Sequence, residues 1–242
     1  MPNHKHFLIA NWKMAMTTHQ ALDFLETFSI REIADSRTQV IIAPSFVTLP
    51  VLHHWITQHS IPIALCAQNS SAMQSGAFTG EVSVTMLKET GCQYVIIGHS
   101  ERRILFGEVE PDLSKKVDLV LQAGLMPIFC FGESKEVYES GKTNDFLRNQ
   151  LASYSAKIPF ILAYEPIWSI GTGLIPTHDD LARSVDFIRS LFPDTTLLYG
   201  GSVNVGNIDS LLQHTAMNGF LVGGASLKPD VFYSLYQAMN QH

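Results

Sequence analysis

The sequence predicts an α/β protein that forms a single closed (β/α)8 barrel, and three observations support this prediction. Eight short apolar runs recur at intervals of roughly thirty residues, as strands separated by helices do. Apolar residues between several of these runs follow helical spacing. The length of 242 residues suits one barrel, a fold that typically takes about 250 residues. Strand–helix–strand units also build open doubly wound sheets, but eight units favour the closed barrel.

The predicted strands are short apolar runs without polar alternation, which is typical of a parallel sheet covered on both faces. None approaches the ~20 apolar residues of a membrane span. The runs lie at residues 7–10, 40–43, 63–67, 94–97, 126–130, 161–164, 196–199 and 220–222.

The predicted helices present one apolar face each. Thr177 and Asp180 have the spacing of a capping box at the start of the sixth helix, and Gly91 and Gly124 stand where helix-ending glycines are expected. The clearest faces belong to the first and sixth helices and consist of Ala21, Leu25 and Phe28, and of Leu181, Val185, Ile188 and Phe192.

Composition excludes several classes of protein. The formal net charge of -6 comes without a basic run, so neither nucleic acid nor an anionic membrane is an expected partner. The first ten residues lack the pattern of a secretion signal, so we expect a cytoplasmic protein. Cys66, Cys92 and Cys130 are far apart and show no metal-ligand spacing, so we expect free thiols and no metal. The sequence contains no stretch with the composition of a linker, so residues 1–242 are predicted to be one domain.

Polar residues after the first and fourth strands stand where barrel enzymes bind ligands. Lys13 follows the first strand by three residues and is expected to aim a cation into the site. His99 would begin a short helix, whose amides favour a neutral imidazole that can donate a hydrogen bond. For Arg102 and Arg103 we prefer a structural interpretation as a surface ion-pair cluster; for Glu101 the choice stays open.

Glu165 leaves the sixth strand directly into a segment with the pattern of a mobile lid. A glutamate beside an apolar strand has a high desolvation cost unless it is paired or used as a base. We expect the apolar side chains of the following segment to be exposed in a loop that closes over a ligand; a static packed loop would leave its glycines unexplained. The lid comprises Pro166, Ile167, Trp168, Ser169, Ile170, Gly171, Thr172 and Gly173.

Glycine pairs follow the last two strands, Gly200-Gly201 before Ser202 and Gly223-Gly224 before Ala225. Loops at these two places of a barrel often bind phosphate through bare backbone amides. A base, a neutral imidazole, a cation, a lid and a phosphate site together suit proton abstraction beside a carbonyl. The sequence shows no metal motif, no P-loop and no dinucleotide fingerprint, so we expect an aldose–ketose isomerisation without a cofactor.

Four segments together resemble the triosephosphate isomerase family along the whole chain: ANWK at 10–13, GHSERR at 98–103, AYEPIW at 163–168 and GGASLK at 223–228. The resemblance implies a TIM barrel that interconverts D-glyceraldehyde 3-phosphate and dihydroxyacetone phosphate in glycolysis and gluconeogenesis. It also implies a homodimer, in which the loop from Gly76 to Glu81 inserts beside the neighbouring subunit's site.

The resemblance assigns roles to individual residues. Glu165 would move the proton, His99 would polarise the carbonyl oxygen, and Lys13 would neutralise phosphate and enediolate. Glu101 would support Lys13 from behind. The implied substrate-binding residues are Asn11, Lys13, Gly171, Ser202, Gly223 and Gly224.

Departures from the family pattern fall in the lid and the first loop. Ser169 stands where alanine is usual, the second hinge reads Leu174-Ile175-Pro176, and Ala15-Met16 follows the first loop. Two rival functions are a pentose-phosphate isomerase or epimerase and an inactive barrel that only binds. The segment around Glu165 argues against the first, and Lys13, His99 and Glu165 together argue against the second.

Overall fold

A computed structural model describes residues 6–29, 31, 33, 37–171, 175–214 and 216–241 of the chain. Within these residues eight parallel strands close into a barrel in sequence order, with β8 paired to β1. The predicted (β/α)8 fold is therefore confirmed. The strands are β1 His6–Asn11, β2 Thr38–Ala43, β3 Ile63–Ala67, β4 Cys92–Ile97, β5 Met126–Phe131, β6 Ile161–Tyr164, β7 Leu197–Tyr199 and β8 Gly219–Val222.

The predicted strand limits differ from the observed ones by at most two residues. The third and sixth strands match, whereas β1, β2, β4, β5 and β8 extend beyond their apolar runs and β7 begins one residue late. Ladder pairing such as His6 with Thr38 continues into polar residues, because it needs only backbone groups. Hydrophobicity alone cannot place such ends.

The helices cover the outside of the barrel. Thr177 caps α8 by accepting the amide hydrogen of Asp180, and Gly91 and Gly124 follow helix ends with positive φ, so all three predicted signals are confirmed. The helices are α1 Thr18–Ser29, α2 Leu49–Gln58, α3 Val84–Glu89, α4 Ser100–Phe106, α5 Glu110–Gln122, α6 Lys135–Glu139, α7 Thr143–Leu151, α8 His178–Leu191, α9 Ile208–His214 and α10 Pro229–Gln241.

The buried residues form two layers that follow from strand alternation. Ile9 and Ile41 belong to the cluster that fills the barrel, whereas Leu8 and Val40 belong to the cluster between strands and helices. Burying a side chain of this size contributes about 1.5–3 kcal/mol, so both layers hold the strand ends in place. No helix of the described residues is long and apolar enough to cross a membrane.

Candidate active site

Glu165 is buried at the carboxyl end of the barrel, immediately after β6, with 2% of its surface exposed. The amide of Ser100 donates to its Oε2 at 3.1 Å. Its Oε1 lies 3.5 Å from Nε2 of His99. The loops after β4 and β6 thus bring together two of the predicted catalytic side chains. The contribution of Ser100 is a backbone amide, which the sequence did not reveal.

Two glycines leave the space that Glu165 occupies. A Cβ on Gly132 would come within 1.8 Å of the Glu165 carbonyl oxygen, and one on Gly200 would come within 2.7 Å of its Cγ. Contacts this short cannot be relieved without moving the backbone or the carboxylate. The first glycine after β5 and the first after β7 therefore set the position of the acid between them.

His99 is the N-cap of α4, as the sequence predicted. Its Nδ1 accepts the amide hydrogen of Glu101 at 3.2 Å. A ring nitrogen that accepts carries no proton, so this bond selects the neutral tautomer with the hydrogen on Nε2. Since Nε2 faces Glu165, the ring presents a donor toward the interior of the site.

Lys13 has an unusual backbone conformation, with φ of 52°. For a residue with a side chain this region costs about 1–2 kcal/mol. Two bonds hold it there: its amide donates to Oδ1 of Asn11 at 3.2 Å, and Gln68 donates to its carbonyl at 2.8 Å. Its ammonium lies 2.6 Å from Oε1 of Glu101. The structure thus places Lys13 next to the acid expected to support it.

A cavity of about 290 Å³ opens beside these groups. Its size lies just below the range of about 300–1,000 Å³ typical of drug-sized ligands, which suits a small substrate. A larger cavity of about 720 Å³ lies at the opposite end of the barrel, where the strands begin. Chemistry favours the smaller one, which is lined by every predicted catalytic and substrate-binding residue: Asn11, Lys13, His99, Glu165, Gly171, Ser202, Gly223 and Gly224.

The expected phosphate-binding residues line one side of this cavity. Gly223 precedes a short 3-10 helix, Gly224–Leu227, whose first amides lack partners within the helix. A Cβ on Gly223 would lie 3.6 Å from Cε of Lys13, so bare backbone stands next to the cation. The hydroxyl of Ser202 donates to the carbonyl of Ser169 at 2.5 Å. Ser202 is thereby joined to the lid as well as to the cavity.

The beginning of the lid is more buried than expected. Residues Ile167–Ser169 form a 3-10 helix, Ser169 is fully buried, and Ile167, Trp168 and Ile170 are partly buried. The expectation that these apolar side chains are exposed is therefore wrong. The sequence does not show the cause, which is that neighbouring loops cover them.

Ser169 also has hydrogen-bonding partners of its own. Its hydroxyl donates to the Pro166 carbonyl at 2.9 Å and lies 3.4 Å from the hydroxyl of Tyr199. At the lid tip Gly171 is exposed with φ of 68°. The rest of the predicted lid, Thr172 and Gly173, lies outside the described residues. So does Leu174, which is the first residue of the second hinge.

Glu133, which the sequence analysis did not single out, contacts the start of the predicted lid through Trp168. It is fully buried, and its Oε1 accepts from Tyr164 at 3.0 Å and from Nε1 of Trp168 at 3.3 Å. Burial raises the pKa of this carboxyl, and the bonds from Trp168 and Tyr164 oppose the rise. Glu133 stands two residues beyond β5, so the rule applied to the other strands would have found it.

Both arginines of α4 form ion pairs, as expected, because Arg102 contacts Glu108 and Arg103 contacts Glu110 at 2.8 Å, but the expected surface position is wrong for Arg103. Arg102 donates to Glu108 at 2.5 Å. Arg103, with 13% of its side chain exposed, donates to the carbonyls of Gly98 at 2.6 Å and Cys130 at 2.9 Å. Arg103 lies inward because these carbonyls, at the ends of β4 and β5, need donors. It ties together the two strands that flank His99 and Glu133.

Cys130 lies deep in the barrel beside the site. Burial raises the pKa of its thiol well above the ordinary value, and the neighbouring charge of Glu165 raises it further. The thiol is therefore a neutral neighbour of the carboxylate. All three cysteines are free and buried.

Sequence comparisons agree with this geometry. The model of the family described as triosephosphate isomerase matches residues 6–239. The chain belongs to the triosephosphate isomerase family. A triosephosphate isomerase of Chlamydia trachomatis serovar D is 41% identical over 98% of this chain and 90% of its own length. One of Mesomycoplasma hyopneumoniae is 40% identical, and one of Aquifex aeolicus is 39% identical, each over 94% of this chain and 97% of its own length.

Membership of the triosephosphate isomerase family extends over nearly all of the barrel. The matched residues include every strand and both ends of the lid. The loops that carry Lys13, His99 and Glu165 therefore lie within the matched region rather than in an insertion.

Proposed function

We propose that this protein is a triosephosphate isomerase that interconverts D-glyceraldehyde 3-phosphate and dihydroxyacetone phosphate without a cofactor. The observation that carries the proposal is the buried carboxylate of Glu165, 3.5 Å from the Nε2 atom of His99 at the wall of a small cavity. A base and a donor placed side by side can take a proton from carbon while protonating oxygen. Such an isomerisation contributes to glycolysis and gluconeogenesis.

The reaction would proceed in two half-reactions, each with one proton transfer at carbon and one at oxygen. Glu165 takes the proton from the carbon next to the carbonyl, and His99 donates from Nε2 to the oxygen, which gives an enediol-type intermediate. Glu165 then delivers the proton to the former carbonyl carbon, while His99 regains a proton from the hydroxyl of the adjacent carbon, whose oxygen becomes the new carbonyl. Lys13 supports the developing negative charge, because its ammonium lines the same cavity. When substrate binds, the Lys13 ammonium must interact with both the Glu101 carboxylate and the substrate.

Phosphate recognition would use backbone amides rather than a cluster of cations. Gly223 and Gly224 present main chain to the cavity beside Lys13. Gly171 would add an amide from the lid tip, and Ser202 would couple the closed lid to the phosphate through its bond to Ser169. One cation and several amides suffice to bind a dianion against a net charge of -6.

A coupled assay tests the proposal directly. Purified protein is given glyceraldehyde 3-phosphate, and dihydroxyacetone phosphate is measured through its reduction by a dehydrogenase. We expect rapid turnover at micromolar to millimolar substrate. A ribose 5-phosphate assay run in parallel addresses the pentose-phosphate alternative. Turnover of the pentose alone, or of neither sugar, would overturn the proposal.

We also propose that the protein is a homodimer that contacts its copy through the loop from Gly76 to Glu81. This loop, which includes Phe78, is exposed along its whole length. Further exposed apolar side chains lie after β1, β2 and β4, which together with β3 are four consecutive strands, so these loops share one side of the barrel mouth. They are Met14, Val47, Ile104, Leu105 and Phe106.

The dimer would also affect the site. Met14 is 98% exposed and directly follows Lys13, whose backbone is in a costly conformation. A copy packed on Met14 would hold that loop in place and thereby position the ammonium. We further propose that residues 1–242 are one domain and that the protein is cytoplasmic. The buried free thiols are consistent with a reducing compartment.

A further inference from the structure

The first hinge of the lid rests on a tyrosine that is part of neither the lid nor the catalytic group. The ring of Tyr138, on α6, packs against the ring of Trp168 with 4.6 Å between centroids and 30° between planes. On its other side Trp168 donates to Glu133. Trp168 is therefore held between a hydrogen bond to the loop after β5 and a ring contact to α6.

The hydroxyl of Tyr138 reaches the far side of the lid. It donates to Oδ2 of Asp180 at 2.7 Å. Asp180 lies in the first turn of α8, whose N-cap is Thr177. Pro176, which precedes that cap, is buried at the second hinge. A single side chain thus joins the support of the first hinge to the helix that begins beyond the second.

Asp180 is itself firmly placed. Its amide donates to Thr177 Oγ1 at 3.2 Å, and the Thr177 hydroxyl and Arg183 both donate to its carboxylate. The Thr177 bond, followed by the Tyr138 bond, lowers the pKa of Asp180, and the same carboxylate raises the pKa of Tyr138. The Tyr138 bond therefore runs to an ionised acceptor, which makes it one of the stronger kinds.

We propose that Tyr138 is a positioning residue for the lid, which ties the Trp168 end and the α8 end to one shared anchor through its ring and its hydroxyl. The proposal rests on the proposed isomerase function. Without the tie, the ring of Tyr138 can follow Trp168 when the lid moves, so the lid opens more readily. An intermediate held beneath it then escapes more often.

Lid motion can be measured without turnover. The full chain is labelled with 5-fluorotryptophan, and the Trp168 resonance is assigned by its loss in Trp168→Phe. Exchange of that resonance is followed by ¹⁹F NMR with and without glycerol 3-phosphate, a three-carbon phosphate that has no carbonyl to isomerise. The second readout is the yield of methylglyoxal from glyceraldehyde 3-phosphate, which forms when the intermediate loses phosphate.

The variants separate the two halves of the tie. Tyr138→Phe keeps the ring and loses the hydroxyl, Asp180→Ala removes the acceptor, and the double variant completes a cycle. We expect each single variant to speed Trp168 exchange by about three- to tenfold, the factor that one hydrogen bond supplies. We expect the double variant to resemble Asp180→Ala, because both changes remove the same bond. Tyr138→Ala, which also loses the ring, should have the largest effect.

Glu139→Gln is the matched control on the same helix, since Glu139 makes an exposed ion pair with Lys135 at 3.6 Å. It should leave both readouts unchanged. Additive effects of Tyr138→Phe and Asp180→Ala, or unchanged Trp168 exchange and unchanged methylglyoxal yield in Tyr138→Phe, would overturn the proposal. An inactive parent protein would instead refute the isomerase function, while the NMR cycle would still report on the tie.

Discussion

At the scale of single residues, the proposed chemistry depends on the carboxylate of Glu165. Glu165→Gln keeps the size of the side chain but cannot accept a proton from carbon. We expect kcat to fall by about 10²- to 10⁴-fold, the usual contribution of a positioned base, with KM little changed. Steady-state kinetics in both directions measure this.

Glu133→Gln is the matched control for that experiment. Glu133 is also a buried acid after a strand. Its carboxylate accepts hydrogen bonds from Tyr164 and Trp168, and the amide oxygen of a glutamine can accept the same two bonds. We expect kcat within a factor of about ten of the parent value, one net hydrogen bond at most. Equal losses in the two variants would mean that Glu165 has no special role as a base.

Glu133 also leads to a prediction of how the free energy of unfolding depends on pH. Its pKa is raised above the ordinary value of 4.5, so above that pH the unfolded chain loses this proton before the folded one does. The buried acid then destabilises the fold increasingly until the pH passes its folded pKa. Glu133→Gln removes the titration.

Over the range from pH 4.5 to pH 8, the stability of Glu133→Gln relative to the parent should therefore rise with pH, by at most about 1.4 kcal/mol per pH unit, and level off once the pH passes the folded pKa. Urea unfolding of both proteins across this range measures it. Parallel pH profiles would show that the Glu133 carboxyl titrates alike in the folded and unfolded chain.

The positions of the site residues could be predicted from the sequence, but most of their partners could not. Lys13, His99 and Glu165 each follow a buried strand, and the same rule would have yielded Glu133. The Ser100 amide that binds Glu165 and the inward path of Arg103 depend on backbone atoms brought together by the closed barrel. No residue type signals such contacts.

At the scale of elements, the predicted lid begins at a base that hydrogen bonds hold in place. Ser169 is bonded to Pro166 and Ser202, so removing the tip leaves these anchors in place. Deletion of residues 170–173 should give a folded protein that turns over poorly. It should also divert the intermediate to methylglyoxal and inorganic phosphate, because an open site admits water.

Product partitioning measures that outcome, and circular dichroism checks the fold. Gly171→Ala is a milder companion: the added methyl group meets open space, so the change is confined to the cost of φ at 68°. It should weaken turnover less than the deletion does. If the deletion changes neither rate nor partitioning, the segment is ordinary packing.

The sequence predicted the lid as an element but not its burial. Its glycines and apolar residues indicated a loop that covers a ligand. Its contacts, however, are to α6 and to the loops after β5 and β7, and residue spacing in the sequence does not show that these segments lie close to it. Strands and helix caps were easier, because they depend on neighbouring residues in the chain.

At the scale of the whole molecule, the proposed dimer makes a direct prediction. Sedimentation should give about twice 26.9 kDa at micromolar concentration. Phe78→Asp places a charge in the exposed loop and should give monomers, because an unpaired charge cannot be buried between copies. Turnover should fall with it, since Lys13 lies next to the exposed Met14.

Ala152→Asp is the matched control, because Ala152 is exposed at the end of α7, between β5 and β6 rather than among the loops after β1 to β4. It should remain dimeric and active. A fully active monomer, in the parent or in Phe78→Asp, would contradict both the interface and its effect on the site.

The cysteines test the packing of the folded chain. Burial raises the pKa of Cys92 to about 11 and that of Cys66 and Cys130 well above the usual range. Since the thiolate is the reactive form, a disulfide reagent at pH 8 should modify the native protein very slowly. Denaturant should release three reactive thiols. Immediate modification of any thiol in native protein would show that the barrel opens locally.

The barrel as a whole could be predicted because its repeat is regular, with eight buried runs and intervening helical faces in chain order. The side proposed to pair with a copy follows from the family resemblance and not from this repeat. The sequence does not show that these exposed apolar residues form one patch, because closure of the barrel is what brings the loops that carry them together.

Gly132 and Gly200 have a consequence for how this gene can change. Neither contributes a functional group, yet the smallest possible side chain at either position would collide with Glu165. Mutation of these two codons is therefore restricted by the position of Glu165, even though neither glycine contributes a functional group. In a library randomised at both positions, survivors selected for activity should encode glycine at each, while neighbouring surface codons diversify.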